Sequence, residues 1–260
     1  MKKYLLSFAV LCFSCQAYAQ NITIDADKKV EWYRDEQKMI AYGNAIAKRN
    51  DNILKGDKLT AVYETIQLED GTQKDQIQKI FSEGNVQIDM NASKGFGNRF
   101  EYDLPTGIAK LTGNPAKLNN ESGNITATNG ITYYKKENKS IALGDVIAKN
   151  AEYTIHSNKM ISYFEKDKQG QNKIKKIEIY ADNQPIKIVN KQAEVTGKRG
   201  LYIPQEDKIK IYEDVVINQN NDILRGNYAE TDLKTGISRL LGQENKSGRV
   251  TGVFHNKKKK

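Results

Sequence analysis

One short pattern occurs four times in this chain, and it constrains the fold more than any other feature. Gly43-Asn44-Ala45-Ile46-Ala47 is echoed by Gly84-Asn85-Val86-Gln87-Ile88, by Gly144-Asp145-Val146-Ile147-Ala148 and by Glu213-Asp214-Val215-Val216-Ile217. Thirteen residues after each start stand Gly56, Gly97, Ser157 and Gly226. The second and fourth positions after each start are always apolar, whereas the third varies and includes Gln87. Alternation with period two marks half-buried strands. Two more echoes support the repeat. Leu104–Gly113 matches Leu233–Gly242 at an offset of 129, the same offset that separates Gly84 from Glu213. Ile77-Gln78-Lys79-Ile80 matches Ile174-Lys175-Lys176-Ile177.

Further apolar positions follow each start: Leu54, Gly95, Ile155 and Leu224 at the eleventh, Leu59, Phe100, Met160 and Ala229 at the sixteenth. Asn, Asp and Gly clusters such as Asn50-Asp51-Asn52, Glu69-Asp70-Gly71 and Asn129-Gly130 mark turns, because these residues tolerate positive φ or bond their own backbone. The spacing predicts roughly 14–18 short strands in an all-β sandwich, barrel or open roll, with almost no helix. On this reading the Gly-Asn pairs are turns, and the polar stretch Glu165 to Lys176 is one long hairpin loop.

The first residues read as an address. Met1-Lys2-Lys3 precedes an apolar run from Tyr4 to Cys15, and Ala17 and Ala19 form a small-residue cleavage site. Residues 1–19 are therefore expected to be a cleavable signal peptide, 20–255 a single domain and 256–260 a basic disordered tail. Retention as an anchor, or lipid attachment at Cys15, are the alternatives. Both cysteines, Cys12 and Cys15, fall in the address segment, which excludes a disulfide framework. After residue 20 no stretch approaches the roughly 18 apolar residues of a membrane-spanning helix.

Little in the chain suggests catalysis. His156 and His255 are the only histidines, and His156 reads as a solvent-facing strand residue. Without cysteine beyond residue 20 or clustered histidine, a zinc site or Cys–His nucleophile is not expected. Gly95-Phe96-Gly97 lacks the rest of a phosphate loop, and Asp25-Ala26-Asp27 lacks the distal Glu of a calcium loop. No enzyme activity, cofactor or metal is expected.

The formal charge of +9 falls to +7 without Lys2 and Lys3, and its lysines are spread along the chain. A solvated surface is the simplest account, and attraction to an anionic phosphorylated glycolipid is the sharper one. Nucleic acid does not suit an exported protein.

The run Ile77-x-Lys79-Ile80-x-x-x-Gly84-Asn85-Val86-x-Ile88 resembles the OstA-like (LptA) family repeat. So does the series Tyr102-Asp103, Gly107, Leu111-Thr112-Gly113-Asn114-Pro115, Ile125, Ile131-x-Tyr133, Ile141-x-x-Gly144-Asp145-Val146. The resemblance spans roughly residues 22–250 and departs from the pattern at Glu213. It implies a rolled stack of antiparallel strands, a β-jellyroll, with an internal apolar groove for the acyl chains of lipopolysaccharide (lipid A). It also implies a periplasmic bridge that stacks head to tail and meets inner-membrane and outer-membrane OstA-like transport subunits. Size and a cleavable address favour the bridge. A membrane-anchored docking subunit and an exported scaffold without lipid binding are the alternatives.

For the groove the expected lining is Val86, Ile88, Phe100, Val146, Ile155, Met160, Val215, Ile217 and Leu224. For self-association by strand pairing the expected edges are Ile22, Thr23 and Ile24 at one end and Val250, Thr251 and Val253 at the other.

Overall fold

A computed structural model describes residues 22–90, 93–168, 170, 172–219, 222–232, 238–242 and 249–253. The expected signal peptide and basic tail lie outside these residues. The described residues are all-β: twenty strands in antiparallel pairs, and one short 3₁₀ turn at Pro204–Glu206. The expected count of 14–18 strands is too low. Strands of three to five residues such as Thr23–Asp25 and Thr251–Val253 leave too little periodicity to be read.

Two compact units are present, and each is built in the same way. In the N-terminal unit the long strands are β3 (Lys38–Arg49), β4 (Asn52–Gln67), β5 (Gln73–Met90) and β6 (Ser93–Asp103). Short strands flank them in pairs. β1 (Thr23–Asp25) and β2 (Lys29–Tyr33) share the outer side of β3. β7 (Ile108–Thr112) and β8 (Ala116–Asn120) share the outer side of β6. β10 (Ile131–Tyr134) then pairs with β7. Each long strand thus crosses two half-sheets, and each short strand belongs to one.

The C-terminal unit repeats the scheme. β9 (Gly123–Ala127) pairs with β11 (Lys139–Lys149). β12 (Thr154–Lys166) carries β14 (Ile186–Val189) on one half and β13 (Asn172–Tyr180) on the other. β15 (Ala193–Gly197) and β16 (Arg199–Ile203) then share β17 (Lys208–Gln219). β17 pairs with β18 (Asp222–Asp232), whose far side carries β19 (Ser238–Leu241) and β20 (Thr251–Val253). Most of the expected loop from Glu165 to Lys176 is strand, because Glu165 and Lys166 pair with Lys173 and Asn172. Charged side chains on an exposed ribbon hide the period-two signal.

The four-fold motif is not a turn, and this corrects the sequence reading. It lies inside β3, β5, β11 and β17. The pairing register slips between Tyr42 and Ala45, Glu83 and Val86, and Tyr212 and Val215. These are β-bulges, which bend a strand and increase its twist. Gly43 and Asn44 have φ of +80° and +42°, and Gly84 and Asn85 have +72° and +44°. Asn44 Nδ2 donates to Asp27 Oδ2 at 2.7 Å, and Asn85 Nδ2 donates to Asp57 Oδ2 at 2.9 Å.

Glu213 departs from glycine and still takes φ +63°, followed by Asp214 at +52°. A non-glycine residue there costs roughly 1–2 kcal/mol. Neighbouring groups hold it: Arg199 Nε lies 2.8 Å from Glu213 Oε1, and Lys198 Nζ lies 2.7 Å from Asp214 Oδ2.

The residue thirteen positions on is the cross-strand partner. Ala45 faces Gly56, Val86 faces Gly97 and Val215 faces Gly226. There the strands approach too closely for a side chain. A Cβ at Gly97 would lie 2.5 Å from the carbonyl oxygen of Thr112, and one at Gly56 would lie 2.2 Å from Ser82 Oγ.

Two measurements follow from this geometry. Gly97→Ala forces a backbone carbonyl aside and is expected to cost about 1–3 kcal/mol, lowering the thermal midpoint by roughly 3–10 °C. Asp103 caps the β6–β7 turn. The Thr106 hydroxyl, its amide and Lys79 together bring the carboxyl from the ordinary 3.8 down to about 2. Its stabilisation is complete above the ordinary value and is lost as pH falls through about 2. Asp103→Asn should therefore flatten the dependence of the thermal midpoint on pH between those two values.

Candidate functional site

The bulge line divides each long strand into two segments whose inward residues face one another. In the C-terminal unit one inner row runs Ile155, Ile188, Val195, Ile217, Leu224. The other runs Met160, Ile179, Gly200, Ile211, Ala229, Leu240. Toward β17, β18 and β19 the rows part and leave a cavity of about 210 Å³. Ile188, Val195, Ile217 and Leu224 line one side, and Ile209, Ile211, Ala229 and Leu240 line the other. Ile211 and Ile217 belong to a single strand, so only a bend at Glu213-Asp214 lets both face this space. Tyr153, Asn190, Gln219, Thr231 and Ser238 add polar atoms to the lining.

The N-terminal unit has the same two rows at its opposite edge, but they nearly close. Ile22, Ile24 and Ala47 approach Met39, Ala41, Leu59, Ala61, Ile77 and Ile80 around a space of only about 20 Å³. Two large apolar side chains of this inner face, Val30 and Trp32 on β2, remain about half exposed. Trp32 Nε1 donates to the Tyr63 hydroxyl at 2.5 Å, and Arg34 stacks over its ring at 4.8 Å.

The nine residues expected to line a groove all lie on the inner rows. Val86, Ile88 and Phe100 are fully packed in the N-terminal unit. Val146, Ile155, Met160 and Val215 are equally packed in the C-terminal unit. Ile217 and Leu224 alone among the nine border the open cavity. Ile188, Val195, Ile209, Ile211 and Leu240 border it too and were missed. Their signal was present in the alternation Ile186-Lys187-Ile188 and Ile209-Lys210-Ile211.

The six expected edge residues divide between the two units. Thr23 is exposed on β1, and Ile22 and Ile24 are half-buried against the small N-terminal space. Val250, Thr251 and Val253 are exposed in and beside β20, which covers half of β18. Among the described residues β1 pairs with β3 alone and β20 with β18 alone.

Electrostatics keep the inner faces neutral and place ionic groups outside. Burial pushes the Tyr202 phenol well above its ordinary value, so it stays protonated on the inner face. On the outer face the 2.5 Å bond to Glu178 raises the pKa of Lys176. At Glu178 burial pushes the pKa up, but Lys176 and the Tyr180 hydroxyl together hold it below its ordinary value. His156 is exposed, as its strand position suggested. Such an arrangement suits an apolar, flexible guest held without directional bonds.

Comparison with known proteins gives one family. The family described as "LptA/(LptD N-terminal domain) LPS transport protein" matches residues 23–139 and again residues 124–237. The two matches follow the two compact units. Among solved structures the chain is similar to LptH, the LptA homologous periplasmic component of the lipopolysaccharide transport device from Pseudomonas aeruginosa. That alignment covers 91% of this chain and 96% of the other at 10% identity, with a TM-score of 0.23. Comparison with curated protein sequences returns no match.

Packed and open inner positions should respond differently to truncation. Phe100→Ala empties a filled site and is expected to cost about 3–5 kcal/mol in urea unfolding. Leu224→Ala, already beside open space, should cost only about 1 kcal/mol. Equal losses would mean that the cavity is filled in solution.

Proposed function

Because this chain belongs to the family of LptA and LptD N-terminal-domain lipopolysaccharide-transport proteins, we propose that it is the periplasmic carrier and bridge of such a system. The observation that carries the reading furthest is the mainly apolar cavity between the inner rows of the C-terminal unit. An acyl chain entering it gains about 0.8 kcal/mol for each CH₂ removed from water. That driving force has no direction, so the guest can slide as well as bind. Ile217 and Leu224 would touch it first. As the rows part, Val86, Ile88 and Phe100 would line the inner face of the N-terminal unit, and Val146, Ile155, Met160 and Val215 that of the C-terminal unit.

Bridging uses the outer strands. β1 and β2 at one edge and β19 and β20 at the other offer backbone groups for strand addition. The two edges differ, so pairing one with the other is heterologous and propagates without closing. The partners on this reading are lipopolysaccharide, a second copy, and inner-membrane and outer-membrane subunits of the same architecture.

Photo-crosslinking in living cells tests the carrier. A reactive residue at Leu224 should yield lipopolysaccharide adducts, and one at the exposed Lys149 should not. A folded, exported protein that gives no adduct at Leu224 or Ile211 would sink the reading.

A further inference from the structure

Two hairpins outrun the strands beside them. β3 ends its pairing with β4 at Lys38–Val62, and β6 ends its pairing with β5 at Asp103–Lys79. Beyond those points, and past one further bond from the Tyr63 amide to the Gln37 carbonyl, Glu64–Gln67 and Gln73–Gln76 are the ladder of a single hairpin. In the C-terminal unit β16 leaves β13 at Ile177, and Tyr163–Lys166 continues against Asn172–Lys176. Each hairpin is therefore a two-stranded ribbon that projects past its neighbours. The second also touches the 3₁₀ turn, where Gln205 Nε2 donates to Glu165 Oε1 at 3.0 Å.

Their charges are opposite. The first ribbon carries Glu64, Glu69, Asp70 and Asp75 against Lys74. The second carries Lys166, Lys168, Lys173, Lys175 and Lys176 against Glu165 and Asp167. The ribbons occupy corresponding places in the two family matches, since each is the hairpin that leaves the second long strand of its unit. Key charges are not spent internally: Glu64, Glu69, Lys166 and Lys168 are exposed and have no ion partner among the described residues. Lys173, by contrast, is held by Glu165 at 3.0 Å. Ribbons of one sign would keep two copies apart. Opposite signs in corresponding places are what recognition between copies requires.

We infer that a second copy of this chain docks through these hairpins, the acidic β4–β5 ribbon of one copy against the basic β12–β13 ribbon of the other. The contact is separate from the terminal strands and does not rest on lipid carriage. It would fasten neighbouring bridges to one another.

Sedimentation velocity on the full chain tests it with two variants, Glu64→Lys/Glu69→Lys and Lys166→Glu/Lys168→Glu. All four positions are exposed, and unchanged thermal midpoints verify folding. The wild type should associate at low salt, with a dissociation constant at least ~10-fold weaker at 300 mM salt. Each variant alone has two ribbons of like sign and should lose this association. Mixed together they should recover it, because one supplies basic ribbons and the other acidic ones. Association that ignores all four substitutions belongs to the terminal strands and overturns the inference. A mixture that stays dissociated overturns it too, as does a reversal that lowers the thermal midpoint without changing association, the mark of a contact within one chain.

Discussion

The close approach of strands along the bulge line is the constraint on which the rest of this structure depends. The residue after each left-handed pair faces a glycine in three of the four copies, and a Cβ there would press on the strand beyond, on the Thr112 carbonyl at Gly97 and the Leu241 carbonyl at Gly226. Once that approach is made, every long strand bends at the same level. Two rows of apolar residues from the same strands then face each other. Neither row could be buried by a flat sheet, because each half is too narrow to cover itself. Within one row Phe100 and Leu111 are cross-strand neighbours, both without exposed surface. Such side chains each contribute about 1.5–3 kcal/mol on burial.

Packing along these rows is uneven, and the unevenness matters for function. In the C-terminal unit Met160 and Ile179 are fully packed, while Ile211, Ala229 and Leu240 leave space toward the last strands. A carrier needs an interior that is apolar yet incompletely satisfied. The C-terminal unit has it, and the N-terminal unit keeps its counterpart nearly shut.

Period-two alternation around the four motifs made the strands and the inward residues legible. Positions such as Leu54, Phe100, Ile155 and Met160 are buried as the spacing required. The meaning of the Gly-Asn pairs was not legible, because a turn and a bulge call for the same residues. Register decides between them, and register needs the partner strand. The ribbon from Glu165 to Lys176 was misread for a related reason: the run of Lys, Asp, Gln and Asn leaves Ile174 as its one buried apolar residue, too little alternation to show a strand in the sequence. The cavity was only half visible. Ile217 and Leu224 could be placed on an inner row, but no sequence signal separates a filled position from one beside empty space.

The C-terminal unit carries β13 to β16 between β12 and β17, where β4 in the other unit passes directly to β5. These four strands form two extra layers, each with one strand on either half (β13 with β14, then β16 with β15), and both inner rows run through them uninterrupted. Each layer adds about 4.8 Å along the stacking direction. Length in this architecture is therefore an adjustable quantity, altered by whole hairpins at little cost to the fold, much as in a solenoid. A gene that duplicates or deletes one such hairpin changes how far the protein reaches, and leaves the chemistry of its interior as it was.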